Sequence, residues 1–232
     1  MVEDYVTDRD QEEALRNWWK ENYRWIIGGI ALGFALLFGW NYWQDYREKQ
    51  AAEAAKMYTD IDTALKERNI DKAGTLLSGM TKDFDSSAYA QEARLLLAKA
   101  DVEAAKYDDA AKLLREVSDK SKDKEMAQIA QLRLARVLVQ QAKYDEAVKL
   151  LQPHTEGSYG AQAREIRGDA LYAKGDKEGA RAEYAAALTG ADAAIDRSLL
   201  ELKLQEVGGV VPGKEIAQIP ELTAPGQAPA QE

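Results

Sequence analysis

The sequence predicts an all-α protein: a single N-terminal transmembrane helix followed by an α-solenoid of helix pairs. Three observations predict it. No charged residue falls between Arg24 and Asp45. From about Ala51 the chain becomes a mixture of Ala, Leu, Lys, Glu, Asp and Gln that no proline interrupts before Pro153, a composition in which helices dominate. Finally, Tyr89–Val117 set against Met126–His154, a shift of 37 residues, gives 15 identities in 29 positions. A repeat of that length marks a stacked array, because one helical pair cannot bury its apolar face alone.

Residues 1–24 form a leader, expected on the cytoplasmic side. Thr7 or Asp8 can cap a helix bearing Ala14, Leu15, Trp18, Trp19 and Tyr23, which either lies against the inner leaflet or continues into the membrane. The transmembrane helix is placed at residues 25–43. At about 1.5 Å per residue this run covers roughly 28 Å, against a hydrocarbon core of about 30 Å. Trp18, Trp19, Tyr23 and Trp25 precede it and Trp40, Tyr42, Trp43 and Tyr46 follow, rings suited to the headgroup level. A cleaved signal peptide does not fit, since the run ends in Trp-Asn-Tyr-Trp-Gln-Asp-Tyr rather than small residues. Arg9, Arg16, Lys20 and Arg24 on the N-terminal side outnumber Arg47, Lys49 and Lys56 on the other. Together with the position of the anchor, this bias places the long C-terminal part outside the cytoplasm. Within the span, Gly29 and Gly33, and likewise Ala35 and Gly39, are four apart, a spacing that lets another helix approach closely in lipid.

Residues 44–207 are expected to form the repeat domain. Gly168, Leu171, Gly175, Asp176, Ala180, Tyr184 and Ala187 make its best copy. Ala135, Leu138, Ala142, Tyr144, Ala147 and Leu151 precede it, and before them Ala98, Ala105, Tyr107, Ala110 and Leu114. These residues resemble the tetratricopeptide repeat, in which small residues of paired helices pack against large ones. A weaker copy runs through Ile61, Ala64, Ile70, Ala73 and Leu77. Asp101 departs from the pattern where a large apolar residue belongs, so its helix is expected to be offset or to end early. Small residues at 98, 135 and 168, and at 110, 147 and 180, allow close helix approach without reference to any family. Asp108, Asp145 or Asp176 can cap the second helix of a pair. Asp192–Val207, with Ile195, Leu199, Leu200, Leu202 and Leu204, reads as a closing amphipathic helix. Residues 208–232, which hold Pro212, Pro220, Pro225 and Pro229, read as a disordered tail.

Composition narrows the function. The formal net charge is −9 at pH 7, with 40 acidic against 31 basic residues, which argues against nucleic acid as a partner. There is no cysteine, and the one histidine, His154, follows Pro153 at a repeat boundary and reads as a turn residue. Gly28, Gly29 and Gly33 lie inside the apolar span with no Lys-Ser or Lys-Thr following, so they are not a phosphate loop. Tyr107, Tyr144 and Tyr184 recur at repeat positions and read as packing residues. Nothing here points to an enzyme, a cofactor or a metal.

The order of parts, with D-Q-E-E-A-L at Asp10–Leu15, G-W-N-Y-W at Gly39–Trp43 and G-D-K-E-G-A-R at Gly175–Arg181, resembles the YfgM-like proteins, ancillary subunits of the bacterial Sec translocon. The resemblance covers roughly residues 10–207. It implies a single-pass type II inner-membrane protein whose periplasmic repeats associate with Sec translocon subunits and with a membrane-anchored periplasmic chaperone of the prolyl-isomerase-like class. It further implies that exported polypeptides are passed from the translocon to periplasmic chaperones. A membrane-anchored scaffold for envelope assembly or stress signalling is the competing reading. A repeat lipoprotein would carry a cysteine, which this chain lacks. Repeats of this kind line a concave surface with the first helix of each pair. The register then places Leu95, Lys99 and Val102, then Leu132, Arg136 and Val139, then Glu165, Asp169 and Tyr172 in a partner-binding groove. Leu95, Leu132 and Val139 fit equally well the apolar stripe that every amphipathic helix needs.

Overall fold

A computed structural model of the protein describes residues 8–190 and 195–211. Regular structure among them is helical throughout: α1 (Asp8–Lys66), α2 (Ile70–Phe84), α3 (Ala88–Glu103), α4 (Tyr107–Lys120), α5 (Lys124–Gln140), α6 (Tyr144–Leu151), α7 (Gly160–Lys174), α8 (Lys177–Thr189) and α9 (Arg197–Glu206). A 3₁₀ turn, Gln152–His154, follows α6, so the lone histidine does sit in a turn. The chain divides into two compact units, Met1–Lys56 and Met57–Glu232.

The first unit, as far as it is described, is helix. No proline or capping stop falls between Asp8 and Lys66, so the leader helix runs without a break into the apolar span and on past it. One helix of the described residues is long and apolar enough to cross a membrane, and none of its most apolar stretch is buried in the protein. At the far end of the span, Trp40 and Trp43 meet at 5.6 Å and the Arg47 guanidinium lies 4.7 Å from the Trp43 ring. The cation thus covers an aromatic face at the level where charge must resume.

The second unit is a stack of helix pairs. From α2 to α9 each helix packs on its neighbour in sequence, and α5 also meets α7 past the short α6. The small residues sit at the crossings as expected. Ala98, Ala135, Ala110, Ala147 and Ala180 are all but inaccessible to solvent, as are Ala64 and Ala73 of the weaker first copy. At Gly168 the approach leaves no room for a side chain, since a Cβ there would lie 2.4 Å from the Tyr184 ring. Tyr184 occupies the position of Leu77, Leu114 and Leu151 in the other pairs. Thus the loss of a methyl from one helix is matched by a larger ring on the other.

The turns are built differently from the expectation. Arg68, Ala105, Ala142, Gly175 and Gly208 all have positive φ, at intervals of 37, 37, 33 and 33 residues. In each case the N–H of that residue and of the next return to carbonyls of the preceding turn, at 2.8 to 3.0 Å. This is the double hydrogen bond of a Schellman helix end, which closes the first helix of every pair. Three of the five use a residue other than glycine. Asp176 does cap its helix, accepting from the Gly179 N–H at 2.9 Å. Asp108 and Asp145 do not cap: they lie inside the first turn of α4 and α6, whose N-cap positions are Lys106 and Lys143. They pair instead with the lysine of the next turn, Asp108 with Lys143 and Asp145 with Lys174, as Asp71 does with Lys106.

A second periodic contact was not foreseen. Arg94, Arg164 and Arg197, near the start of α3, α7 and α9, each donate to a carbonyl nine residues earlier, at Asp85, Thr155 and Leu188. Each arginine thereby ties a first helix to the end of the pair before it. Arg94 is fully buried; it also bonds Glu116 at 3.0 Å and the Asp85 carboxylate. Burial opposes the charge on Asp85, but Arg94 and Lys120 prevail and hold its carboxyl below the usual range.

Three expectations about the ends of elements need correction. Asp101 neither shifts nor shortens its helix: α3 ends at Glu103, 37 residues before the end of α5, and Asp101 is buried in register. Burial, together with the charge of Asp109, raises its pKa. The closing helix starts at Arg197, because the Asp196 side chain accepts from the Leu199 N–H; residues 191–194 lie outside the described residues. Of its leucines, Leu200 and Leu204 are buried, whereas Leu199 and Leu202 face solvent. Gly208–Val211, assigned to the tail, are held by the last Schellman turn and by burial of Val211; the remainder of the expected tail, 212–232, lies outside the described residues.

Two substitutions test this construction. Ala147→Leu should overpack the α5–α6 crossing and lower stability by about 1 to 3 kcal/mol. Ala142→Gly should instead raise it, by roughly 0.5 to 1 kcal/mol, because a left-handed alanine costs about 1 to 2 kcal/mol and glycine returns part of that as unfolded-state entropy. Urea titrations of the purified protein, read by circular dichroism, check both signs.

Candidate functional site

The first helices of three successive pairs, α3, α5 and α7, enclose a cavity of about 600 Å³. Its floor is apolar, with Leu95, Ala98 and Val102 from α3, Leu114 from α4, Val137 and Val139 from α5 and Ile166 from α7. Lys99, Arg133, Arg136, Gln140 and Asp169 supply its polar atoms. The arrangement follows from the stacking. Because every crossing repeats nearly the same geometry, equivalent faces of the first helices come to lie on the same side of the array.

Six of the nine expected groove residues meet here: Leu95, Lys99, Val102, Arg136, Val139 and Asp169. Leu132 does not; it is buried among the core residues of α3 to α7 and is not part of the lining. Glu165 and Tyr172 are also absent from the cavity and are engaged with α9. Arg133 and Gln140 belong to the lining and were missed, since the register from the small residue projects only positions three before, one after and four after it. A signal existed: Arg133 and Arg136 are two charges three apart inside the otherwise apolar Leu132–Val139.

Toward α9 the cavity ends in a part-buried polar cluster. Lys203 Nζ lies 2.7 Å from Glu165 and 2.8 Å from Asp169, and the Tyr184 hydroxyl donates to Asp169 at 2.9 Å. Burial alone would push the Lys203 ammonium toward neutrality, but hydrogen bonds to the two carboxylates outweigh it and raise its pKa. Burial and the neighbouring Asp169 carboxylate raise Tyr184 still more strongly, so its hydroxyl stays protonated and acts as a donor. Tyr172 donates to Glu206 at 2.6 Å, a bond that likewise keeps its phenol protonated. The cluster therefore engages each acidic residue at this end, Glu165 and Asp169 with the Lys203 ammonium and Glu206 with the Tyr172 hydroxyl. Its chemistry is positional, since each group has a partner within the chain.

Along the span, a Cβ added to Gly29, Gly33 or Gly39 would meet nothing within 4 Å. At 3.6 residues per turn, Ala35 lies roughly 240° around the helix from Gly29. The two small pairs therefore form separate faces, Gly29 with Gly33 and Ala35 with Gly39.

A family model described as a tetratricopeptide repeat-like domain matches residues 16–209. Among curated relatives, the ancillary SecYEG translocon subunit of Aggregatibacter actinomycetemcomitans is 30% identical over 206 residues, covering 88% of this chain and 99% of its own. That of Haemophilus influenzae is 30% identical over 205 residues, with the same coverage, 88% and 99%. The Escherichia coli protein of the same name is 29% identical over 186 residues, 80% of this chain and 89% of its own.

The cluster at α9 yields a direct test. Lys203→Ala should leave two part-buried carboxylates without their cation and cost about 1.5 to 3 kcal/mol. In Lys203→Ala/Asp169→Asn the loss should be smaller than the sum of the two single losses, since the groups act as a unit. Unfolding midpoints of the four proteins measure this coupling.

Proposed function

The chain belongs to the tetratricopeptide repeat-like family represented by these ancillary SecYEG translocon subunits, and from that premise we propose that it serves as such a subunit in the bacterial inner membrane. The observation that carries this reading is the extent of the likeness: the family match begins at residue 16, ahead of the apolar span, and ends at 209, after the last helix turn. Anchor and repeats are therefore matched together, as parts of one kind of protein. The chain acts by binding rather than catalysis. Its anchor is single-pass and type II, with the leader in the cytoplasm and the repeats in the periplasm. There the repeats meet translocon subunits, a membrane-anchored prolyl-isomerase-like chaperone and emerging exported polypeptides, and they help pass those polypeptides onward. The cavity on α3, α5 and α7 supports a contact with polypeptide, because an apolar floor rimmed by a few charges is the usual make-up of a recognition surface. Gly29 with Gly33, and Ala35 with Gly39, supply two faces for helix contact within the membrane.

Two measurements test the reading in intact cells. Protease added to spheroplasts should digest the repeats and leave a fragment containing the leader and span; protection until lysis would reverse the topology and remove the function with it. A photocrosslinking amino acid at Val102 should trap exported chains or periplasmic chaperones, and one at Gly33 should trap translocon subunits. Adducts confined to cell-wall or outer-membrane assembly factors would favour the envelope scaffold instead.

A further inference from the structure

We propose that the cavity between α3, α5 and α7 takes an extended polypeptide segment of a partner protein in which acidic side chains alternate with apolar ones. The proposal rests on the reading of this cavity as the partner-binding surface and adds the chemistry of what it selects. The argument begins with charge. Acidic residues outnumber basic ones 40 to 31 in this chain, so a guanidinium has many carboxylates to pair with. Arg94, Arg115, Arg164, Arg167, Arg181 and Arg197 each do pair with a carboxylate or a carbonyl. By contrast, Arg133 and Arg136 of α5 make neither an ion pair nor a hydrogen bond among the described residues, although both line the cavity. Lys99 stands across from them on α3, with Glu103 no closer than 3.9 Å and both side chains mostly exposed. The one carboxylate of the lining, Asp169, is already held by Lys203 at 2.8 Å and by the Tyr184 hydroxyl at 2.9 Å.

The cavity is therefore cationic on an apolar floor, within a chain that is acidic overall. Arg133 and Arg136, three apart on one helix face, have Cβ atoms about 5 to 6 Å apart. Alternate side chains of an extended segment repeat at about 6.5 to 7 Å and point the same way, so successive acidic side chains can each meet one guanidinium. The intervening apolar side chains then point away from these cations, toward Leu95 and Val102 on α3. Guanidinium suits this task because it binds carboxylate through two parallel hydrogen bonds. A second cavity, between α2, α3 and α4, lacks such a surplus, since its Arg94 with Glu116 and its Asp71 with Lys106 already pair.

The test uses the full chain in nanodiscs of zwitterionic lipid and three fluorescein-labelled ten-residue peptides: alternating Asp and Leu, alternating Lys and Leu, and alternating Asp and Ser. Anisotropy should show the Asp-Leu peptide binding at least tenfold tighter than either other peptide. Arg133→Gln/Arg136→Gln should weaken it at least tenfold with the unfolding midpoint unchanged, whereas Arg115→Gln, away from the cavity, should not. Arg133→Glu/Arg136→Glu should transfer the preference to the Lys-Leu peptide. Equal binding of the Asp-Leu and Lys-Leu peptides, both abolished by Val102→Asp, would overturn the charge preference while leaving the cavity as the partner surface. If no peptide binds and Val102 crosslinks to no polypeptide, the reading of the cavity fails and the inference with it. Displacement of the Asp-Leu peptide by anionic phosphatidylglycerol vesicles, but not by zwitterionic ones, would assign the cations to a lipid surface and overturn the proposal.

Discussion

Close approach of helices at alanine or glycine is the constraint on which the rest of the second unit depends. A methyl or a hydrogen at 98, 135 and 168, facing the second-helix alanines at 110, 147 and 180, lets the backbones of a pair come together without a void. Once that distance is set, the Schellman turn sets the angle, because its left-handed residue reverses the chain over a fixed number of bonds. Distance and angle together determine where the next pair begins. The cavity follows from this repetition, since the first helices can share a face only if each pair repeats the geometry of the last. The exchange at Gly168 and Tyr184 shows how strictly the spacing is held. The ring fills the space a β-carbon would occupy, 2.4 Å from that position, and its hydroxyl reaches Asp169, so packing and polar structure meet in one side chain.

Much of this was legible in the residues, and the illegible part has a physical reason. The anchor could be read because lipid imposes a length and excludes charge, and both leave a mark on sequence. The pairs could be read because the small positions recur at 37 residues. The turns could not. Asp108 and Asp145 fall two residues past the N-cap positions, because the preceding helix end fixes where the next helix starts through backbone bonds, and their carboxylates turn to the lysine of the next repeat. A left-handed alanine at 105 or 142 carries no signal, since nothing in alanine itself prefers that conformation. The arginine ties were hidden as well: Gln131 interrupts the series between Arg94 and Arg164, and the period changes from 37 to 33. Gln131 donates instead to Ser118 at 3.1 Å. Lys99, Arg136 and Asp169, whose positions relative to the small residue are equivalent, all line the cavity. Leu132, three before the small residue, is buried in the core, although Leu95 at the equivalent position of α3 lines the cavity.

Two sets of paired charges differ in exposure, and the difference bears on function. Those at the turns and helix starts, Asp71 with Lys106, Asp108 with Lys143 and Asp145 with Lys174, link one repeat to the next. They are exposed, so each adds at most about 1 kcal/mol and their service is to register rather than to stability. The part-buried groups, Arg94 with Glu116 and Lys203 with Glu165 and Asp169, lie toward opposite ends of the described repeats, on α3–α4 and on α7–α9. Each of these is satisfied within the chain, as burial demands. Between them, α5 carries two arginines without a partner among the described residues, on a wall completed by Val137, Val139 and Gln140. An arginine without a partner beside an apolar surface contributes to folding only through the packing of its aliphatic stem. Its charge contributes when a carboxylate arrives from elsewhere, because the apolar floor lowers the local dielectric and strengthens the bond that forms. The position of these two arginines, central in the array and flanked by charges that already have partners, is thus what a contact with another chain requires and what stability of this one does not.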